Sequence, residues 1–260
     1  MLSGLPDGTG AEHIVSLAGL GYDYAELPLA EMMQLGQEQF KAIMAHLHSS
    51  GIGCEVCNNL FPVTMRLTGD QADPPQRIRD YLRGAFDRAA DVGSRKVVFG
   101  SGGAKRLPAG YPYEAGFSQL VDVTGLIGEE AAECGITIVL EPLNRGECNI
   151  INSVADAAEL ARQVGLPSVS ALVDYYHLML EKEPLTHLSE TGAVKIKHVH
   201  FAEPDGRAYP KLNQAENYIP FFDALKAIGY DGTISCEAYS SDFTTDAAET
   251  LTLMKEYFTD

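Results

Sequence analysis

The sequence predicts an α/β protein: one (β/α)8 TIM barrel over residues 1–260, a single domain whose first strand is short or truncated. Three observations point there. The chain has 260 residues, the length of one such barrel, which takes about 250 residues. Short, continuous apolar runs alternate with longer amphipathic stretches, as parallel strands buried on both faces alternate with covering helices. The other fold with this rhythm, an open doubly wound sheet, should carry a glycine-rich nucleotide turn. Gly8–Gly10, Gly19–Gly21 and Gly51–Gly53 each begin G-x-G, but none completes G-x-G-x-x-G, and neither a Walker A nor a G-x-S-x-G pattern is found.

The elements follow in order. An amphipathic stretch at about Ala11–Leu20 opens the chain, and the run Tyr22–Leu27 precedes a helical pattern over Gln37–Ser50. Gly53–Phe61 reads as a strand before the helical stretch from about Pro75 to Val92. Lys96–Gly100 leads to Gly116–Cys134, and Ile136–Pro142 to Ser153–Val164, where Ser153 is a good N-cap. Val169–Asp174 leads to a shorter helix near Leu185–Thr191, Lys195–Phe201 to Ile219–Ile228, and Thr233–Tyr239 to the terminal helix Thr245–Phe258. These are seven strand–helix units. The remaining strand has to lie before residue 10, where only Met1–Ser3 is available.

Composition narrows the function. Hydrophobic residues make up 45% and charged residues 21%, as in ordinary globular proteins. No apolar run reaches the roughly 18 residues of a membrane span, and MLSGLPDGTG lacks the basic start and apolar core of a signal peptide. The expected location is the cytoplasm, with no membrane partner. A net charge of −17 repels phosphate backbones, so nucleic acid is a poor partner. One pocket can still carry local positive charge, so a small sugar or a sugar phosphate remains open. Five scattered cysteines argue against a disulfide framework. Cys54 and Cys57 form a C-x-x-C, but residues three apart on a strand point to opposite faces, so burial is expected and a redox pair is not.

The chemistry gathers at the ends of the last four apolar runs, at Glu141, Asp174, His200 and Glu237, spaced about one strand–helix unit apart. In a barrel the C-terminal ends of the strands converge on one mouth. Three carboxylates cannot share a small, partly dry volume uncompensated. One divalent cation resolves this: three carboxylates and an imidazole suit Mn²⁺ first, with Mg²⁺, Co²⁺ or Zn²⁺ as alternatives. His198 lies one layer deeper than His200 and is expected to pack or hydrogen-bond inside the barrel. Glu26, Asn58 and Asn59 end earlier runs and could meet sugar hydroxyls. The loop Gly100–Arg106 could cradle a phosphate with Lys105 or Arg106. Phe61, Tyr111, Tyr113 and Phe201 are candidates for an apolar wall.

EPLNRGE (Glu141–Glu147), VDYYH (Val173–His177), HVHFAEPDGR (His198–Arg207) and SCEAY (Ser235–Tyr239) form a specific set. With them the chain resembles the xylose-isomerase-like superfamily, in its sugar isomerase/epimerase branch of D-tagatose and D-psicose 3-epimerases and hydroxypyruvate isomerases. The resemblance implies a metal held by Glu141, Asp174, His200 and Glu237, and substrate contacts from Glu147, His177 and Arg207. It implies a ketose 3-epimerase type of reaction. The P-D-G-R-x-x-P loop at Pro204–Pro210 is more similar to the hydroxypyruvate isomerases. A metal chelating a ketose carbonyl and its neighbouring hydroxyl acidifies the C–H between them, and proton removal gives an enediolate. Glu141 and Glu237 would then act as the catalytic pair on opposite faces. Alternatives are an aldose–ketose or hydroxypyruvate-type isomerase and an inosose-dehydratase-like lyase. An apurinic-site endonuclease would need more histidines and a basic surface. A non-catalytic sugar-binding barrel would not need the complete ligand set. Relatives of this kind are often dimers or tetramers, so a homo-oligomer is expected.

Overall fold

The computed structural model describes residues 8–192 and 194–258. The expected first strand, Met1–Ser3, lies outside them. The seven remaining strands are β1 (Tyr24–Pro28), β2 (Gly53–Asn58), β3 (Lys96–Phe99), β4 (Thr137–Leu140), β5 (Val169–Asp174), β6 (Ile196–Phe201) and β7 (Thr233–Cys236). They form one sheet in sequence order, every neighbouring pair parallel. The sheet curls into a nearly closed TIM barrel. Strands β1 and β7 are not paired through their backbones among the described residues. Side chains bridge that seam: the Tyr24 hydroxyl lies 2.8 Å from Ser235 Oγ, and the Tyr22 hydroxyl donates to the Ala247 carbonyl at 2.8 Å.

The helices are α1 (Ile14–Leu20), α2 (Leu29–Met32), α3 (Gln37–Ser50), α4 (Pro75–Asp91), α5 (Gly102–Lys105), α6 (Tyr113–Glu133), α7 (Val154–Val164), α8 (Tyr175–Glu181), α9 (Ala215–Ala227) and α10 (Phe243–Phe258). Ser153 caps α7 as expected, its Oγ accepting from the Asp156 N–H at 3.0 Å. The sequence reading placed a helix near 185–191. The structure instead starts α8 directly at the end of β5 and leaves only a 3-10 turn at Leu185–Leu188. The Asp174 carboxylate is the reason: it accepts from the His177 N–H at 3.3 Å and caps α8.

Inside the barrel Val56, Val98, Val139 and Leu172 pack as one layer, with Tyr24 against them. Strand side chains alternate, so residues two further on point the same way. Those residues are Asn58, Gly100, Glu141 and Asp174, and they carry the layer up to the mouth. Gly100 is required for close approach: a Cβ there would collide with Glu141 Oε2. Phe201 follows His200 and therefore faces outward, into an aromatic cluster with Tyr175, Tyr218, Phe221 and Phe222.

The C-x-x-C pair departs from expectation. The Cys54 and Cys57 thiols are both buried and lie 3.8 Å apart. The cause is a bulge: β1 advances from Tyr24 to Glu26 while β2 advances from Gly53 to Val56, so one extra residue turns Cys54 to the face of Cys57. The hydrogen bond with the Cys57 thiol, and then burial, hold the Cys54 pKa well above its usual value, which is the inert form of a cysteine.

Candidate active site

A cavity of about 940 Å³ runs along the β1–β7 seam, where Tyr24, Tyr230 and Thr233 line it, to the C-terminal ends of the strands, where Glu141, Glu147, Arg207 and Glu237 line it, with Glu26 between. Asp174, His177 and His200 are buried beside them. One ligand atom from each of Glu141, Asp174, His200 and Glu237 lies within 4.8 Å of the others. The four residues come from the ends of β4, β5, β6 and β7, which the parallel register brings side by side.

His200 is the hub. Its Nδ1 lies 2.7 Å from Glu141 Oε1, 3.1 Å from Glu237 Oε2 and 4.0 Å from Asp174 Oδ2. Its Nε2 donates to Glu26 Oε1 at 2.8 Å. The other Glu26 oxygen accepts from His198 Nε2 at 2.9 Å, and His198 Nδ1 lies 2.8 Å from Thr233 Oγ1. Glu26, expected at the mouth, lines the cavity, but both its oxygens are engaged by histidines. His198 bonds within the barrel, as its deeper position suggested.

The electrostatics show that this cluster demands positive charge. Burial alone would lower the His200 pKa, but Glu26, Glu141 and Glu237 raise it well above the ordinary histidine value. Burial would raise Glu26, yet His200 and His198 hold it well below the carboxylate range. Glu237 is likewise pulled down to about 2, against its burial, by His200 and Arg207. Asp174 goes the other way: burial, reinforced by Glu141 and Glu237, raises it. A pocket that draws a proton onto His200 can exchange that charge for a divalent cation. Three carboxylates and one imidazole are a fitting donor set.

A second ring of residues surrounds the cluster. Arg207 reaches Glu237 Oε2 at 2.5 Å, Asp174 Oδ2 at 3.7 Å and Glu147 Oε1 at 3.7 Å, and its guanidinium stacks over Tyr176. Arg207 and Gly206 both adopt positive φ, 50° and 71°, which folds the P-D-G-R loop back over the mouth. His177 Nδ1 accepts from the Asn144 backbone at 3.1 Å, with Asn144 Nδ2 at 2.9 Å. The hydrogen therefore sits on Nε2. That Nε2 is buried, has no hydrogen-bond partner among the described residues, and lies 3.6 Å from Asp174 and 4.0 Å from Glu147.

Other expectations fare differently. Lys105 is only 2% exposed and donates to the Glu141 carbonyl at 2.8 Å, while Arg106 reaches the Gly146 carbonyl at 3.0 Å. Both cations donate to backbone oxygens, Lys105 from a buried position and Arg106 from an exposed one. Phe61, Tyr111, Tyr113 and Phe201 do not line the cavity; its described aromatic lining is Tyr22, Tyr24, Tyr209, Tyr230 and Phe258. Sequence reasoning missed Asn144 and Lys105 as supports of the site. Asn144 was within reach, because it sits inside EPLNRGE. The inward turn of Lys105 depends on the short helix α5 and has no sequence signal.

A family model described as a xylose isomerase-like TIM barrel matches residues 15–257. A ketose 3-epimerase of Arthrobacter globiformis is 25% identical over 224 residues, 85% of this chain and 74% of the relative. An L-ribulose 3-epimerase of Methylomonas sp. (strain DH-1) is 25% identical over 237 residues, 88% of this chain and 78% of the relative. Among solved structures, D-psicose 3-epimerase with D-tagatose from Clostridium cellulolyticum H10 superposes with a TM-score of 0.83 at 18% identity, covering 95% of this chain and 93% of that one. A family 2 AP endonuclease from Brucella melitensis gives 0.73 at 21% identity, covering 98% and 96%. These structural likenesses are to the fold. With the family match spanning nearly the whole chain, the protein belongs to the xylose isomerase-like TIM barrel family.

Proposed function

We propose that the protein is an isomerase of the ketose 3-epimerase type, moving a proton on the carbon beside a sugar carbonyl. The observation that carries this is the convergence of Glu141, Asp174, His200 and Glu237 at a cavity mouth, with Glu141 and Glu237 both exposed to the cavity. Those four residues would hold one divalent cation, Mn²⁺ being our first choice. When bound, it would supply Lewis acidity to the carbonyl and its neighbouring hydroxyl.

The chain's own residues account for the rest. One of Glu141 and Glu237 takes the proton from the carbon, and the other returns one from the opposite face. Arg207, 2.5 Å from Glu237 Oε2, keeps that carboxylate ionised and balances the negative charge of the enediolate. His177 Nε2–H donates to a substrate oxygen, and Glu147 accepts from a hydroxyl beside it. Glu26 holds His200 through Nε2–H, so the Nδ1 lone pair can face the cation. We therefore assign Glu26 to His200 in place of a sugar hydroxyl.

The test is to incubate Mn²⁺-loaded enzyme with a panel of ketoses in D₂O. Deuterium should appear at C3 with inversion. Chelation should abolish the exchange, and Mn²⁺ or Co²⁺ should restore it. Deuterium at C1 would indicate an aldose–ketose isomerase, and loss of a hydroxyl a lyase. Exchange that persists in excess chelator, with no metal found by elemental analysis, refutes the site.

Among the described residues no helix is long and apolar enough to cross a membrane. We propose a cytoplasmic setting, supported by five cysteines without a disulfide framework. We also propose a homo-oligomer; Met179 and Leu180, exposed side by side on α8, support it. A monomer mass by light scattering at micromolar concentration would refute that.

A further inference from the structure

We propose that Lys96 and Thr233, at the floor of the barrel, are positioning residues for His200. With His198 and Glu26 they form one directed hydrogen-bond chain that fixes which nitrogen of His200 is free to face a cation. This rests on the functional reading above, which makes His200 a metal ligand. The links are continuous. Lys96 Nζ lies 3.1 Å from Thr233 Oγ1, and Thr233 Oγ1 lies 2.8 Å from His198 Nδ1. His198 Nε2 is 2.9 Å from one Glu26 oxygen, and the other Glu26 oxygen is 2.8 Å from His200 Nε2. Strand periodicity puts these residues on the inner face. Lys96 opens β3, two residues before the inward-facing Val98. Thr233 opens β7 directly opposite His198, which lies two residues before His200 on β6.

The two ends give the chain its direction. An ammonium can only donate, and an ionised carboxylate can only accept. Thr233 therefore accepts from Lys96 and spends its own hydrogen on His198 Nδ1, and His198 donates from Nε2 to Glu26. The reverse tautomer of His198 would set a bare Nε2 against a carboxylate oxygen at 2.9 Å and leave Thr233 Oγ1 between two donors. Glu26, held on one oxygen, offers the other to His200 Nε2–H. The Nδ1 of His200 is then left towards Glu141, Asp174 and Glu237. The height of this chain in the barrel is what calls for a reason. Glu26 pairs in register with Val56 and His198 with Leu172, and both partners belong to the apolar layer. Apolar side chains would fill the places of Glu26 and His198 without the cost of burying polar groups. The group held at the upper end of the chain supplies the reason.

The experiment titrates chelator-stripped protein with Mn²⁺ by calorimetry, for wild type, Thr233→Val, Thr233→Ser and Lys96→Met. Melting temperatures of the same stripped proteins are measured alongside, and nitrogen NMR of the imidazoles reads the His198 tautomer in stripped wild type. His198 should carry its hydrogen on Nε2. Thr233→Val keeps the side-chain shape and removes the link. It should weaken Mn²⁺ binding about 3- to 10-fold, the worth of one hydrogen bond, and Thr233→Ser should restore it. Lys96→Met separates the chain from simple charge by the sign of its effect. Removing a positive charge strengthens cation binding by Coulomb attraction alone, whereas losing the first link weakens it. Lys96 is only half-buried, so this variant also stands in should Thr233→Val fail to fold. A His198 hydrogen on Nδ1, tighter Mn²⁺ binding in Lys96→Met, or a lower melting temperature with unchanged Mn²⁺ affinity in Thr233→Val overturns the chain alone. A wild type that takes up no divalent cation overturns the metal reading, and the positioning role with it.

Discussion

Replacing Glu26 by Gln tests whether this residue serves His200 or the sugar. The carboxylate accepts from two imidazoles, His200 Nε2 at 2.8 Å and His198 Nε2 at 2.9 Å. A glutamine in the same place has one acceptor and one donor, so one histidine N–H meets an N–H. If that is His200, the ring must turn or move its proton to Nδ1, the nitrogen facing Glu141, Asp174 and Glu237. A charge-assisted hydrogen bond is worth about 1.5–3 kcal/mol, which corresponds to roughly 10- to 150-fold in affinity. Outer partners of metal-binding histidines typically matter by about 10- to 100-fold. We therefore expect Glu26→Gln to weaken Mn²⁺ binding by tens of fold, measured by calorimetric titration of chelator-stripped protein. With saturating metal, turnover should recover and KM for the sugar should stay near wild type. A raised KM with unchanged metal affinity would show that Glu26 touches the sugar, and the positioning argument would be wrong.

Two further outcomes follow from the same geometry. Metal-saturated Glu141→Gln and Glu237→Gln should each lose roughly 10²–10⁴-fold in rate, the usual worth of one general acid or base. Near-wild-type turnover in both would reduce them to ligands and make His177 the next proton carrier to test. Alkaline stability is set by buried phenols: burial raises Tyr22, Tyr24, Tyr209 and Tyr230 well above the ordinary value of 10.0, and Tyr175 to about 12. Raised folded-state values mean that the stabilisation is complete below the unfolded value and is lost as pH rises beyond it. Stability should thus be level up to about pH 10 and then fall by roughly 1.4 kcal/mol per pH unit for each such phenol. Melting temperatures across pH 8 to 11, read with tyrosinate absorbance, check this; tyrosines that ionise near 10 while the fold persists would contradict it.

Much of this molecule is legible in its sequence because the barrel ties position to periodicity. An apolar run ending in a polar residue becomes a strand ending at the mouth, so Glu141, Asp174, His200 and Glu237 could be gathered into one site from spacing alone. Helix α3 and strand β5 fall at their expected bounds, since caps and apolar period agree there. The start of α8 was not readable, because Asp174 serves both as strand end and as helix cap.

What tertiary structure alone decided is direction and partnership. Whether Lys105 points to solvent or to the Glu141 carbonyl depends on a four-residue helix whose path is set by its neighbours. Cys54 meets Cys57 because of a bulge that exists only through pairing with β1. Glu26 was expected beside the sugar, and β6, laid across the barrel from it, brings two histidines to its oxygens. The sequence by itself determined the barrel, the order of its strands and the four residues that converge. Which polar groups satisfy one another, and which, like Asn58 Oδ1 and His177 Nε2, have no hydrogen-bond partner among the described residues, depends on contacts between residues far apart in the chain. Periodicity records which face a residue occupies, but not what it meets there.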